Sequence, residues 1–314
     1  MLTLMTGRAW TMMGFLAAMW GASYLFIEIG LDDLSPAAVV FARTTLGALV
    51  LLPFAIRKGA LSGLRGRVGA LFVLAAVQIA GPFLLISVGQ QEISSSLAGI
   101  LVASAPIFTA LIAIRVSPGE RSGRLGTAGV AIGILGVAVL LGVDLGGDSG
   151  ALLGGLMVLL ASLGYAIGAH YLKRRLAGYQ PVGIVTGAMT ASALLVLPLA
   201  VIDPGSGLGL GTVGAMAALG FGGTGLAFLI FYTLIADVGA SKASVVAYIA
   251  PAFAVLYGVT LLGENVTAST LAGLGLILAG SYLAAEGRLP GRAGRTDRSA
   301  TPAAVAASAA REAA

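Results

Sequence analysis

The side chains that could do chemistry in this chain are few, and most lie inside apolar stretches. Arg43, in FARTTLGALVLLP (residues 41–53), is the one basic residue within such a stretch. Arginine at the centre of a membrane helix costs at least ~2.5–3.5 kcal/mol on insertion scales, so a guanidinium there needs an anion or a set of acceptors. The chemistry it offers is anion recognition, either as an anchor for a substrate carboxylate or as a gate paired with Glu28. Snorkelling to the nearer surface, or a structural bond to backbone carbonyls, are the alternatives. Trp20, Tyr24 and Glu28 recur at i, i+4 and i+8 and therefore share a helix face. Gln78, beside Gly81-Pro82, can both donate and accept, as an amino-acid ligand requires. Tyr165 and His170 belong to a third apolar stretch, and Tyr248 shares a face with Ser244 and Pro251 in a fourth. His170 precedes a basic run, where it serves either as an interfacial residue or as a proton relay. Trp20, Tyr24, Arg43, Gln78, Tyr165, His170 and Tyr248 are the candidate pathway residues.

What these residues exclude is equally informative. With no cysteine and one histidine there is no thiolate or histidine-based metal site, and no cofactor is expected. Ser23 and His170 are the candidate nucleophile and base. Their predicted depths differ by roughly 20 Å at 1.5 Å per residue, which excludes an intramembrane hydrolase. No carboxylate falls near the middle of a span, which predicts facilitated efflux or exchange in place of tight proton coupling.

The elements that must position these residues follow from hydropathy. The chain has 314 residues, is 58% hydrophobic and only 10% charged, against about 25% charged for a soluble domain. A bilayer crossing takes roughly 20 apolar residues. Cutting at charged and Gly/Pro/Asp-rich punctuation predicts ten spans, near 9–30, 36–56, 69–88, 94–114, 125–142, 151–171, 181–201, 212–234, 241–262 and 267–286. The fold class is all-α, a polytopic membrane protein. Seventeen of the eighteen lysines and arginines fall in alternate loops and the tail, on one side. The opposite loops carry Asp32, Asp33, Glu92, Asp144, Asp148, Asp203 and Glu264. By the positive-inside rule both termini are cytoplasmic. Residues 288–314 are Ala/Ser/Arg-rich without apolar period and read as a disordered tail. The net charge of +5 reflects this topology and no nucleic-acid partner is expected.

At an offset of 145, Pro36 meets Pro181, Pro53 meets Pro198 and Pro106 meets Pro251. The chain thus reads as a five-helix unit (9–145) duplicated as 151–286, and an odd helix count inverts the second copy. Inverted repeats are a hallmark of secondary transporters. Pro106 and Pro251 each deprive the carbonyl four residues earlier of its donor, and are predicted to act as paired hinges. Glycines at 126, 129, 133 and 136, with 273 and 280, are suited to close helix contacts, within the chain or in a dimer.

Five segments carry a family resemblance: WGASYLFIEIGL (20–31), FARTTLGALVLLP (41–53), SSSLAGILVASAPIFTALIA (94–113), ERSGRLGTAGVAIGILGVAVL (120–140) and LGENVTASTLAGLGLILAGSYLA (262–284). Over roughly 9–286 the chain resembles the drug/metabolite transporter superfamily, specifically the EamA-type ten-helix transporters. The resemblance implies ATP-independent export of small metabolites, amino acids foremost and aromatic ones among them, across a bacterial inner membrane. A multidrug exporter on the same fold is the alternative. Its partners would be a small-molecule substrate and the lipid bilayer, as a monomer or homodimer.

Overall fold

A computed structural model describes residues 6–116, 123–144 and 148–286; the predicted tail lies outside the described residues, as does the loop around Arg121. The described chain is helical. The spans are α1 Gly7–Leu31, α2 Pro36–Arg57, α3 Arg65–Gly89, α4 Ser95–Val102 with Ala105–Val116, and α5 Gly123–Val143. They continue as α6 Ser149–Arg175, α7 Pro181–Ile202, α8 Leu210–Val238, α9 Ala240–Ala243 with Val246–Leu261, and α10 Ala268–Glu286. Among the described residues nine spans are long and apolar enough to cross a bilayer, and Val246–Leu261 is a shorter apolar helix. All ten fall where hydropathy places them.

The caps explain the boundaries. Ser35 accepts from the Ala38 amide with Pro36 in the first helical turn, and Ser94 accepts from Leu97. Both satisfy amides a helix leaves open at its start. Asp148 does the same for Gly150 and Ala151. Large apolar side chains stay outside: Val201 is 69% exposed, Ile202 80% and Leu153 53%. A soluble monomer rarely shows such continuous apolar surface, whereas a bilayer covers it.

Helix directions establish the inversion. Along the α5–α10 contact, a Cβ at Gly129 would sit 2.8 Å from the carbonyl of Gly280, and one at Gly280 would sit 2.7 Å from that of Gly129. One at Gly136 would lie 3.0 Å from the Gly273 carbonyl, and the reverse distance is 3.3 Å. Low numbers meet high numbers, so these equivalent helices run antiparallel about a twofold relation. The α2–α7 pair repeats the pattern. Ser35 Oγ donates to the Asp203 carbonyl, and Gln180 Nε2 donates to that of Lys58 at 3.3 Å. Both donors and both acceptors are 145 apart. These glycines are used within the chain: backbone meets backbone at their positions.

The two proline helices break at different places in this conformation. In α4 the helix breaks at Ala103–Ser104, two residues before Pro106. Around the break the Leu101 carbonyl accepts from the Ser104 amide at 3.1 Å and from Ser162 Oγ at 3.3 Å, and the Ala103 carbonyl accepts from Ser281 Oγ at 2.8 Å. In α9 the helix runs through Pro251 and breaks earlier, at Ser244–Val245. There Gly239, at φ +84°, has already displaced the first turn. A second symmetric feature is a pair of π-helical segments, Ala75–Ala80 in α3 and Ala218–Leu226 in α8. In α3 Pro82 supplies no donor to Gln78, and the Ala80–Gly81 turn widens to compensate.

Candidate transport site

Arg43, on α2, is 8% exposed. Its Nε donates to Thr224 Oγ1 in α8 at 3.0 Å, and its guanidinium carbon lies 3.7 Å from the Phe83 ring centroid in α3. Thr224 is held by its own donation to the Leu219 carbonyl at 2.9 Å, a five-residue spacing that the π segment creates. Close to the guanidinium stand the phenol groups of Tyr24 from α1 and Tyr165 from α6. The Tyr24 ring lies on α4, 3.2 Å from where a Gly99 Cβ would be. Side chains of four other helices, α1, α3, α6 and α8, thus converge on Arg43. It does not snorkel, because its fork is turned into the bundle. Guanidinium has five N–H donors; among the described residues only Thr224 accepts from it, and no carboxylate pairs with it.

The proposed gate partners do not meet in this conformation. Glu28 accepts from Gln90 Nε2 at 3.1 Å, and the same amide donates to the Tyr24 carbonyl at 3.0 Å. Gln90 was not legible as a site residue in GQQE, since nothing local separates it from a loop glutamine. It is nevertheless 3% exposed, and its Oε1 has no partner among the described residues.

Other candidates lie apart from this centre. Trp20 packs on α8, its ring 5.2 Å from Phe231 and 6.3 Å from Phe228. Gln78 lies against α6, 2.8 Å (Cγ) from where a Gly168 Cβ would be. His170 Nδ1 bonds the Ala166 carbonyl of its own helix at 2.9 Å. The face it shares with Ser162 and Ala166 is packed at those two residues, both being 1% exposed or less. Tyr248 points to α10, its hydroxyl 3.4 Å from the Ser281 carbonyl and its ring beside Tyr282. Ser23 Oγ is bonded to the Met19 carbonyl, so it is engaged within its own helix, as is the His170 ring.

Reasoning from sequence missed the cross-repeat clamps on the acidic face. Glu264, between α9 and α10, accepts from the Ser95 amide at 2.7 Å, the Ser96 amide at 3.0 Å and Ser96 Oγ. A carboxylate at the start of α4 is favoured by the open amides and the helix dipole. Asp33 Oδ2 accepts from the Gly209 amide at 2.9 Å and from Thr212 Oγ1. These bonds hold the Asp33 carboxyl below its usual range, the Thr212 hydroxyl being the larger cause.

A ten-helix bundle of two inverted halves, with a charged site between them and acidic and basic faces, is the architecture of a secondary transporter. The EamA-like transporter family model matches the chain twice, over residues 8–142 and 152–285, and the chain belongs to that family. It is therefore a multi-pass membrane transporter and not an enzyme. It is 30% identical over 266 residues to the uncharacterized inner membrane transporter YedA of Escherichia coli, covering 82% of this chain and 84% of that one. It is 26% identical to a probable terminal-alkyne amino-acid exporter of Streptantibioticus cattleyicolor, covering 84% and 89%. To a probable amino-acid metabolite efflux pump of Salmonella typhimurium it is 27% identical, covering 86% and 93%. A solved crystal structure shares the fold at a TM-score of 0.64 and 23% identity, covering 89% of this chain and 97% of that one.

Proposed function

We propose that this transporter exports small carboxylate-bearing metabolites, amino acids foremost and aromatic ones among them, across a bacterial inner membrane. It works by alternating access without ATP, both termini in the cytoplasm. The observation that carries this reading is Arg43, a buried guanidinium with one neutral hydrogen-bond partner and no counter-ion among the described residues. A buried charge without its partner is strongly unfavourable, and a substrate carboxylate supplies the missing anion bidentately. Phe83, Tyr24 and Tyr165 around it favour an aromatic or apolar side chain. Trp20 and Gln78 flank the path, and His170 and Tyr248 stand towards its basic end. Glu28 leaves Gln90 to gate against Arg43 in another state, and Pro106 and Pro251 serve as the hinge prolines of the two repeats, 9–145 and 151–286. The export function printed for two relatives agrees with this reading. A cationic-drug exporter would want a carboxylate in the cavity, and Glu28 is already engaged by Gln90.

The test is counterflow in liposomes against a panel of amino acids, polyamines and cationic dyes. Arg43→Gln should abolish counterflow of carboxylate substrates. Unchanged amino-acid transport by that variant would end the proposal.

A further inference from the structure

A cavity of about 750 Å³ opens sideways between α2, α7 and α8 on the acidic half of the bundle. Its floor is Ala38 and Ala42, its walls include Leu197 and Phe221, and the loop 204–208 roofs it. It lies on the lipid side, where Phe221 is 46% exposed, and it does not include Arg43 or the residues around it.

The inverted repeat supplies a comparison within the same molecule. At the offset of 145, Ala38 and Ala42 correspond to Gly183 and Gly187, Gly209 to Leu64 and Met216 to Leu71. On the basic face this niche is filled by the chain itself. The Ala60 carbonyl presses on Gly183, a Gly187 Cβ would lie 2.8 Å from Leu71, and Leu64 is 3% exposed. On the acidic face the plug is incomplete, because Gly205, the counterpart of Ala60, is seated against Asp33 and Leu34. Ala38 carries a methyl where the loop would seat, Gly209 has no side chain, and Met216 turns its tip to Gly30 in α1. The groove is thus the empty counterpart of a niche shaped for aliphatic groups.

We infer that it holds one acyl chain of a phosphatidylethanolamine-type lipid from the leaflet on the acidic side. The apolar walls suit an aliphatic tail, and since the leaflet is as apolar as the groove, the fit rests on packing and on the headgroup. The headgroup follows from charge. Asp33 and Asp203 stand next to the lining residues Leu34 and Pro204, Asp32 is exposed beside them, and the sequence has no lysine or arginine between residues 8 and 43 or 175 and 242. An acidic rim receives an ammonium and repels a net anionic headgroup.

The test is native mass spectrometry of the delipidated full-length protein given phosphatidylethanolamine or phosphatidylglycerol. One retained phosphatidylethanolamine per chain, and none after Ala42→Phe, is the expected result. Should Ala42→Phe not fold, the exposed double variant Asp32→Asn with Asp203→Asn decides: it should keep a lipid but lose the preference. Equal retention of both lipids by the unaltered protein would overturn the inference. So would undiminished retention by a folded Ala42→Phe, or displacement of the lipid by a transported amino acid.

Discussion

At the scale of single residues, Arg43 is held along its flat face by Phe83 and at Nε by Thr224, so its free edge is fixed in direction. That arrangement demands arginine. Lysine offers a point charge with neither the planar stack nor the fork, so Arg43→Lys should resemble Arg43→Gln. A hydrogen bond to a charged group contributes about 1.5–3 kcal/mol, hence about one to two orders of magnitude in apparent affinity for a carboxylate substrate. Competition binding on purified protein checks this, and near-normal affinity in Arg43→Lys would contradict it. Asp33 makes a prediction in pH. Its carboxyl is held low by Thr212 and Gly209, so its ionised form is favoured in the folded state. The stabilisation is complete above the ordinary carboxylate range and is lost as pH falls through the lowered folded value. The difference in thermal midpoint between the unaltered protein and Asp33→Asn should therefore be constant near neutrality and shrink on acidification. A difference that grows at low pH would contradict the assignment.

At the scale of helices, α4 shows how a break is kept in a bilayer. Carbonyls beside the break, of Leu101 and Ala103, accept from hydroxyls of α6 and α10, in place of the water that a soluble protein would use. Ser281 is fully buried, so Ser281→Ala leaves the Ala103 carbonyl unpaired and should cost about 1–3 kcal/mol, read as a lowered midpoint in detergent. Pro106→Ala restores a donor to the Val102 carbonyl. It should leave folding intact while slowing transport, and an unchanged rate would make the kink static. The α5–α10 crossing has no slack, since a Gly280 Cβ would meet the Gly129 carbonyl at 2.7 Å. Gly280→Val should therefore destabilise by about 1–3 kcal/mol through overpacking. The spans, the repeat and the Pro106 bend were legible because length, charge punctuation and proline are local properties of sequence. The break at Ser244–Val245 was not, because Pro251 gives the louder signal and the displacement begins at Gly239. Thr224 was not legible as the partner of Arg43, 181 residues away. That pairing exists only because a π segment turns one hydroxyl inward.

At the scale of the molecule, the bonds between repeats are unevenly distributed. The acidic face joins Glu264 to Ser95 and Ser96, Asp33 to Gly209 and Thr212, and Ser35 to Asp203. The basic face has Gln180 to Lys58, and Arg67 to Tyr179 at 3.1 Å. Alternating access requires one set to open while the other closes, and an equilibrium between two states moves by the difference in their contacts. Glu264 is the strongest acidic-face clamp because it answers two amides and a hydroxyl at once, and charge-assisted bonds are roughly twice as strong as neutral ones. Replacing it by glutamine keeps the size, removes the charge and should shift the population towards a state open on the acidic face. The chain has no cysteine, so a reporter thiol has no background. Ser87, 1% exposed beneath this face, is the place for it. In Ser87→Cys alone, a membrane-impermeant maleimide added from the acidic side should label slowly. With Glu264→Gln added, labelling should accelerate, and transported substrate should change the rate again. Labelling unaffected by Glu264→Gln would show that the clamp caps a helix without governing access.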